Sequence, residues 1–293
     1  MYFDKRWFQY TVLLFLAFIW GSSFILMKIG LQAFTSQQVA ALRVVLASLV
    51  LLPFAVKSLK SFRKQDLKSL LIISIIGSLI PAFFFTKAET RIDSALAGML
   101  NSLTPVFTLI IGILFYEIKF NRRQIFGLLI GLAGAFILMN DGRSIALSSI
   151  NSYALFVVAA TICYSISVNE VKAHLTHLNG IQLTSLSFLI AGPIALGYLL
   201  TTDFAPVLAN QDMLISFGAI AVLGIIGTAL AMLFMNHLLG YVSAVFASTV
   251  TYFIPVFAIF WGLVAGEVIT VYHIAGMAII LIGIALVNTK NIK

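Results

Sequence analysis

An internal duplication is the feature of this sequence that most constrains its fold. The stretch LNSLTPVFTLIIGILFYE, from Leu100 to Glu117, returns 150 positions later as VTYFIPVFAIFWGLVAGE, from Val250 to Glu267. Both copies keep Pro-Val-Phe, a glycine and the closing glutamate. Each copy lies in an apolar run long enough to cross a bilayer, which needs about 20 residues. The duplication therefore predicts two copies of one membrane-embedded unit.

Each copy carries a proline near the middle of its predicted span, Pro105 and Pro255. Proline has no N–H, so the carbonyls of Asn101 and Thr251 lose their helical partners, and each helix is expected to bend at a hinge. Within a bilayer such an acceptor must be met by protein, water or ligand. Paired discontinuities point to a transporter's binding site, although prolines also kink membrane helices that touch no substrate.

Composition places the whole chain in the membrane. Of 293 residues, 61% are hydrophobic and 10% charged, whereas soluble domains have about 25% charged residues. We predict an all-α integral membrane protein with ten transmembrane helices and no soluble domain. The predicted helices lie near residues 11–30, 37–56, 68–87, 93–115, 124–140, 152–170, 181–201, 213–235, 242–265 and 270–288.

The duplication divides these helices into two repeats of five, residues 1–143 and 144–293. Toward the N-terminus an offset of 144 pairs Lys28 with Lys172 and Gln38 with Gln182. Because five is an odd number, the second repeat must enter the membrane from the opposite side. Such inverted repeats form sites near the midplane and work by alternating access, so transport is favoured over a scaffold role.

Basic residues predict the orientation. The net charge of +8 would suggest nucleic acid for a soluble protein, but here it indicates basic cytoplasmic loops. If both termini are cytoplasmic, the outer side receives only Lys28, Lys87, Arg91 and Arg143. The other basic residues are cytoplasmic, apart from Arg43 inside a span, and no nucleic-acid partner is expected.

Arg43 is the one charge well inside a predicted span. It lies six residues into helix 2, where burial costs a few kcal/mol unless the charge is paired or hydrated. The guanidinium could hold an anionic group of a substrate in a water-filled cavity. Alternatively, it could reach the headgroups or pair with a neighbouring helix. Its mate in the second repeat is Ser187, so the symmetry of the fold does not demand a charge.

Two aromatic residues, Trp20 and Tyr164, occupy equivalent depths in helices 1 and 6, with Ser23 and Ser167 one turn further along. Rings of this kind can stack on a ligand and offer a hydrogen bond. They also mark membrane interfaces, but both lie about ten residues into their spans. Their depth favours a cavity.

A stripe of small and polar residues runs beside each proline. It comprises Gly98, Asn101, Ser102 and Pro105 in helix 4, and Ser248, Thr251, Tyr252 and Pro255 in helix 9. The stripe could line a pathway or form a close-packed seam between repeats. We predict lining because Asn101 and Tyr252 are large and need polar partners.

Glycines in helices 5 and 10 indicate packing faces, with a homodimer as the alternative to a monomer. They are Gly127, Gly131, Gly134, Gly276 and Gly283. Charged residues at span ends are read as interface anchors or gate salt bridges, namely Lys28, Glu117, Lys172 and Glu267.

The sequence contains no recognisable arrangement of catalytic residues. The four histidines lie near span ends, Cys163 is alone, and no metal-ligand or phosphate-loop spacing occurs. We therefore expect no enzyme, metal or cofactor. No Asp or Glu lies in the middle of a predicted span, so a buried carboxylate for proton coupling is not expected either.

The motifs resemble those of a known family. The paired repeats, WGSSF with a following lysine, AALR, and SALAGMLNSLTPVFTLIIGILFYE resemble the EamA-type members of the drug/metabolite transporter superfamily. The resemblance covers nearly the whole chain and implies ten helices around a central cavity. It also implies that the cavity includes Trp20, Phe83, Asn101, Tyr164, Met232 and Tyr252.

Together these features predict a secondary transporter that exports small metabolites, such as amino acids or related compounds, across a bacterial inner membrane. The predicted substrate-binding residues are Trp20, Arg43, Phe83, Asn101, Tyr164, Met232, Thr251 and Tyr252. An importer, a facilitator, a membrane scaffold and an intramembrane enzyme are the alternatives. The expected partners are a small-molecule substrate and the lipid bilayer.

Overall fold

The described parts of the chain fold into helices, most of them joined by short turns. The computed structural model describes residues 2–119, 121–140 and 151–287, and no strand occurs in these ranges. The helices, in chain order, are α1 (Arg6–Gly30), α2 (Ser36–Ser58), α3 (Leu67–Ser74), α4 (Ile80–Ala88), α5 (Ser94–Asn101), α6 (Thr104–Phe115), α7 (Arg122–Asn140), α8 (Ala154–His174), α9 (Gly180–Leu199), α10 (Ala205–Leu208), α11 (Met213–Gly224), α12 (Ala231–Leu239), α13 (Ala244–Ser248), α14 (Ile254–Val264) and α15 (Val271–Val287).

Length and apolar composition allow eight helical segments of the described chain to cross a bilayer. They are Arg6–Gly30, Ser36–Ser61, Lys64–Ala88, Ser94–Phe115, Ala154–His174, Gly180–Leu199, Met213–Leu239 and Phe246–Val264. A shorter apolar helix spans Val271–Leu286. Large apolar side chains such as Phe18, Leu49 and Leu263 are exposed on these segments. Such a surface suits lipid, and the chain is an all-α membrane protein.

Equivalent positions of the two halves begin helices in the same way. Thr35 accepts a hydrogen bond from the Gln38 backbone N–H and receives the Gln38 side chain at its own N–H, which closes a capping box before α2. Asn179 and Gln182 form the same box before α9. Each box satisfies backbone groups that the start of a helix leaves unpaired. The sequence pairing of Gln38 with Gln182 thus corresponds to a shared structural role.

A second shared feature is a single turn of π-helix within a long helical segment. One lies at Ile75–Leu79 between α3 and α4, and the other at Ile225–Leu230 between α11 and α12. A glycine lies in each turn, Gly77 and Gly227, at the 150-residue offset. Turns of this kind occur often at functional sites because they change the direction of the side chains that follow.

Glycines of α7 and α15 bring these two helices into close contact. A methyl group added at Gly134 would lie 2.7 Å from the Gly276 carbonyl oxygen, and one at Gly283 would lie 2.5 Å from the Gly127 carbonyl oxygen. The predicted glycine faces therefore pack against each other within one chain. A homodimer through these faces stays a prediction.

The two prolines start new helices, which corrects the predicted bend in a continuous helix. Pro105 and Pro255 lie in the first turns of α6 and α14, where a missing N–H costs nothing. The carbonyls that they leave free are also occupied. The Thr104 hydroxyl donates to the Asn101 carbonyl at 2.8 Å, and the Ser102 hydroxyl donates to the Thr251 carbonyl at 2.9 Å. Of the predicted ways to meet these acceptors, the chain uses protein hydroxyls.

Candidate functional site

A cavity lies between the two halves of the chain, beside the breaks that precede α6 and α14. Its lining comes from α1, α2, the π-turn segments on both sides, α5, α8, α9 and the α13–α14 region. Its volume is about 120 Å³, which is room for several water molecules or a small organic molecule. Both halves therefore contribute to one central space.

Arg43 lines this cavity from α2 and is 8% exposed. Its Nε and Nη2 atoms lie 3.2 and 3.1 Å from the Thr228 hydroxyl oxygen, and its Nη1 atom lies 3.6 Å from the Met27 sulfur. Within the described chain, no carboxylate pairs with it. Arg43 thus lines the cavity and also pairs with a neighbouring helical segment through Thr228. That it holds an anionic group of a substrate stays a prediction.

Thr228, the main partner of Arg43, escaped the sequence reasoning. It lies in the second π-turn, directly after Gly227, and also donates to the Leu223 carbonyl at 2.9 Å. Its mate at the 150-residue offset, Ser78, follows Gly77 and donates to the Ile73 carbonyl at 3.3 Å. A glycine followed by a hydroxyl residue, repeated at the 150-residue offset, is the sequence feature that could have identified Thr228.

Trp20 and Tyr164 both line the cavity, as their depth predicted. The indole N–H of Trp20 donates to the Gly227 carbonyl at 3.0 Å. The Tyr164 ring stacks on Phe85 with centroids 5.9 Å apart. A hydroxyl from each helix meets the opposite π-turn, because Ser23 lies against Gly227 and Ser167 lies against Gly77.

Asn101 lines the cavity at the end of α5 and is 6% exposed. Its side-chain oxygen has no hydrogen-bond partner in the described structure. A buried polar atom in that condition costs about 1–3 kcal/mol. A donor brought by water or by a bound molecule would remove this cost.

The remaining predicted residues divide into two groups. Met232 and Thr251 line the cavity. Phe83 and Tyr252 lie outside it, which differs from the prediction. The Phe83 ring packs edge-on against Tyr198 with centroids 5.2 Å apart. The Tyr252 hydroxyl donates to the Ile284 carbonyl in α15 at 3.3 Å.

A charged cluster joins α1, the α4–α5 turn and the end of α14. We call it the Lys28 cluster, and its members are Lys28, Glu89, Asp93, Ser94 and Glu267. The Lys28 ammonium lies 3.4 Å from both Asp93 and Glu267. Glu267 also accepts from the backbone N–H groups of Ser94 and Ala95, at 2.8 and 2.9 Å. Of the two roles predicted for Lys28 and Glu267, interface anchor or gate salt bridge, the structure forms the ion pair. A gating role stays a prediction.

Glu89 is the buried carboxyl of this cluster, and it was not singled out from the sequence. It follows α4 and is 3% exposed; one carboxylate oxygen accepts from the Ser94 hydroxyl at 3.2 Å, while the other has no partner in the described structure. Burial raises the pKa of this carboxyl well above its usual range. Lys28 opposes the shift, whereas Glu267 and Asp93 add to it. A buried carboxyl therefore exists, at the end of a span instead of its middle.

At the opposite end of the bundle, Lys172 donates to the Leu239 carbonyl at 2.7 Å. Nearby in the sequence, Glu170 is also buried. It lies in α8, which continues to His174, beyond the predicted end of its span. Glu170 accepts from the Ser69 hydroxyl at 2.6 Å and from the Tyr116 hydroxyl. These hydroxyls tie α8 to α3 and to the end of α6.

In the part of the chain that the structure describes, no group of three or more His, Cys, Asp or Glu residues could hold a metal ion.

Comparison with known proteins decides the family. The model of the EamA-like transporter family matches this chain twice, over residues 7–140 and 151–289. The chain belongs to the EamA-like transporter family. Each match covers one half of this EamA-like chain, in agreement with the internal duplication.

Relatives of this EamA-like protein are also named as transporters. An uncharacterized transporter of Archaeoglobus fulgidus is 27% identical over 98% of this chain and 100% of its own length. The uncharacterized inner membrane transporter YedA of Escherichia coli K12 is 26% identical over 92% of this chain and 87% of its own. The uncharacterized transporter YdfC of Bacillus subtilis is 26% identical over 93% and 88%. The protein is therefore a membrane transporter and not an enzyme.

A solved crystal structure shares the EamA-like fold. It superposes with a TM-score of 0.66 at 18% identity and covers 95% of this chain and 96% of its own. At this identity the likeness concerns the fold alone.

Proposed function

We propose that this protein is a secondary transporter that exports small metabolites, such as amino acids or related organic compounds, across the cytoplasmic membrane of a bacterium by alternating access. The observation that carries the proposal is the central cavity, to which both halves contribute beside matching breaks in α5–α6 and α13–α14. A site between repeats is the arrangement that alternating access requires.

The proposed architecture has ten transmembrane helices in two inverted repeats, residues 1–143 and 144–293. The repeated capping boxes and π-turns support it, as does the double match of the family model. The distribution of basic residues supports cytoplasmic termini. In this orientation the Lys28 cluster faces outward and Lys172 faces inward, and the inner-membrane relative in E. coli supports the location.

Each gate in this proposal is a contact at one end of the bundle. The Lys28 cluster closes the outer end, and the Lys172 contact with the Leu239 carbonyl closes the inner end. Breaking one set of contacts while keeping the other exposes the cavity to one side. Pro105 and Pro255 are the proposed hinges, because the breaks before α6 and α14 let the half-helices tilt separately.

Counterflow in proteoliposomes tests the transport step. Liposomes that contain the protein and are loaded with an unlabelled compound should take up the same compound in labelled form. The compounds tested are amino acids, organic acids, nucleobases and cationic drugs. We expect one chemical class to exchange. Asn101→Ala should reduce that exchange about tenfold, since a lost hydrogen bond to the substrate is worth about 1.4 kcal/mol.

Phe83→Leu is the control, because Phe83 lies in the neighbouring helix α4 and, unlike Asn101 in α5, does not line the cavity. Its exchange should equal that of the wild type. Exchange that survives Asn101→Ala, or no exchange of any class, would contradict the proposed site. Direction is tested in cells: overproduction should speed efflux of the identified compound, whereas faster accumulation would favour an importer or facilitator.

A further inference from the structure

Arg43 is the only charged side chain in the lining that the described residues give the cavity. The charged groups of the Lys28 cluster and Glu170 lie outside this lining. The cavity therefore carries a net charge of one positive unit when it holds only water. Burial of a cation without a carboxylate costs several kcal/mol, and a bound negative charge would offset that cost.

The guanidinium retains the capacity to bind a further group. An arginine side chain has five N–H donors in a planar fork. The described contacts use three of its nitrogen atoms, with Thr228 as acceptor for two of them and the weakly accepting Met27 sulfur for the third. Two N–H groups therefore remain for water or a ligand. A fork held on one side by Thr228 is suited to bidentate binding of a carboxylate or phosphate.

We propose that the substrate class of this transporter is an organic monoanion with an apolar body, held through its acidic group by Arg43. This inference rests on the proposed function, because it concerns the cavity that is proposed to carry the substrate. Among the small metabolites of the proposed function, it selects those that carry a net negative charge. Thr228 acts as a positioning residue for the guanidinium.

An amino acid zwitterion fits this cavity less well than an anion. Its carboxylate would meet Arg43, but its ammonium group would find no carboxylate in the lining. A hydrogen bond from the ammonium group to a neutral hydroxyl or amide oxygen contributes about 0.5–1.5 kcal/mol of net stabilisation. This is less than the free energy lost when the ammonium group is removed from water. A cation would meet the same difficulty and be repelled by Arg43.

The rest of the lining favours an apolar body with a hydrogen-bond donor. Phe24, Phe85, Met232 and Met235 contribute rings and thioethers that adapt to irregular shapes. Asn101 offers a buried side-chain oxygen that has no partner in the described structure. A hydroxyl on the substrate could donate to this oxygen.

Three probes with one body and different charge test the class. They are 2-hydroxy-4-methylpentanoate, leucine and leucinamide, which are an anion, a zwitterion and a cation. A second set with a phenyl body comprises 3-phenyllactate, phenylalanine and phenylalaninamide. Binding is measured as the rise in thermal unfolding temperature of the purified protein in neutral detergent, since a ligand that binds only the folded state stabilises it.

We expect stabilisation by at least one anion and an affinity for it about tenfold above that of its zwitterion, a difference of about 1.4 kcal/mol. Arg43→Gln should abolish this preference. Arg91→Gln removes the same charge from an exposed turn and should retain it. Arg43→Lys keeps the charge without the fork and should bind the anion more weakly than the wild type.

Equal or tighter binding of the zwitterion or the cation would overturn the proposal, as would an anion preference that persists in Arg43→Gln. Stabilisation by a short-chain anionic phospholipid and by none of the free anions would also overturn it. The assay is independent of transport. Anion binding without any counterflow would support this inference and count against the transport mechanism. Exchange of amino acids alone would support the transport mechanism and count against this inference.

Discussion

At the scale of single residues, Glu89 shows how a carboxyl group can be buried at the end of a span. Burial raises its pKa, and the neighbouring Glu267 and Asp93 carboxylates add to the shift. Below the ordinary pKa of glutamate, Glu89 is neutral in both the folded and the unfolded chain. As the pH rises, the unfolded chain ionises first, so the folded state loses stability until the pH passes the raised pKa.

We therefore expect the thermal unfolding temperature to fall as the pH is raised from about 5 to about 8. Each unit of pKa shift corresponds to about 1.4 kcal/mol. Glu89→Gln should flatten this dependence, because glutamine does not ionise. Asp93→Asn is the control: it removes an exposed carboxylate that contributes least to the Glu89 shift, so most of the pH dependence should remain. A profile in Glu89→Gln as steep as that of the wild type would contradict the assignment.

At the scale of elements, the π-turns explain why the predicted lining was correct for some positions and not for others. An extra residue in the turn rotates the helix that follows, so Ala82 and Phe85 line the cavity while Phe83 points to Tyr198. A similar change of helical phase follows the 3₁₀ turn Thr249–Tyr252, where Thr251 lines the cavity and Tyr252 contacts α15. Hydropathy shows the span but not such local changes of pitch.

The close contact of α8 with the first π-turn gives a prediction for Gly77. A methyl group there would overlap the Ser167 side chain. Gly77→Ala should therefore destabilise the protein by about 1–3 kcal/mol, measured by thermal unfolding in detergent. Adding Ser167→Gly should restore most of the loss by removing the overlapping atoms.

Gly218→Ala is the matched control, because nothing lies within 4 Å of the added methyl group and the residue is within α11. It should gain up to about 1 kcal/mol from helix propensity. If the Gly77→Ala variant were as stable as the wild type, the packing at the π-turn would be less tight than the structure indicates.

At the scale of the whole molecule, the sequence predicted the division into two similar halves because side chains such as Gln38 and Gln182, and the prolines, recur at fixed offsets. It did not predict the contacts between the halves. Thr228 meets Arg43, and Ser102 meets the Thr251 carbonyl, across 185 and 149 positions. Such contacts depend on how the helices are placed in space, which periodicity does not specify.

Alternating access makes a prediction about the whole bundle. In a Cys163→Ser background, a cysteine at Ser78 in the cavity should react with a membrane-impermeant maleimide from either side of the membrane. Cysteines at two exposed turns define the sides, because Thr90 lies at the Lys28 end and Thr176 at the Lys172 end. Each of these should react from one side only. Reaction of the Ser78 position from a single side would contradict alternating access.

The unequal pair Arg43 and Ser187 has a consequence for any molecule in the cavity. The two halves share their helices, turns and breaks, yet only one of them brings a charge to the shared space, while Ser187 contacts Ser74 at 3.2 Å. The electric field across the cavity is therefore one-sided, although both halves line it. A bound molecule with a dipole is therefore favoured in one orientation, and a single side chain, Arg43, determines it.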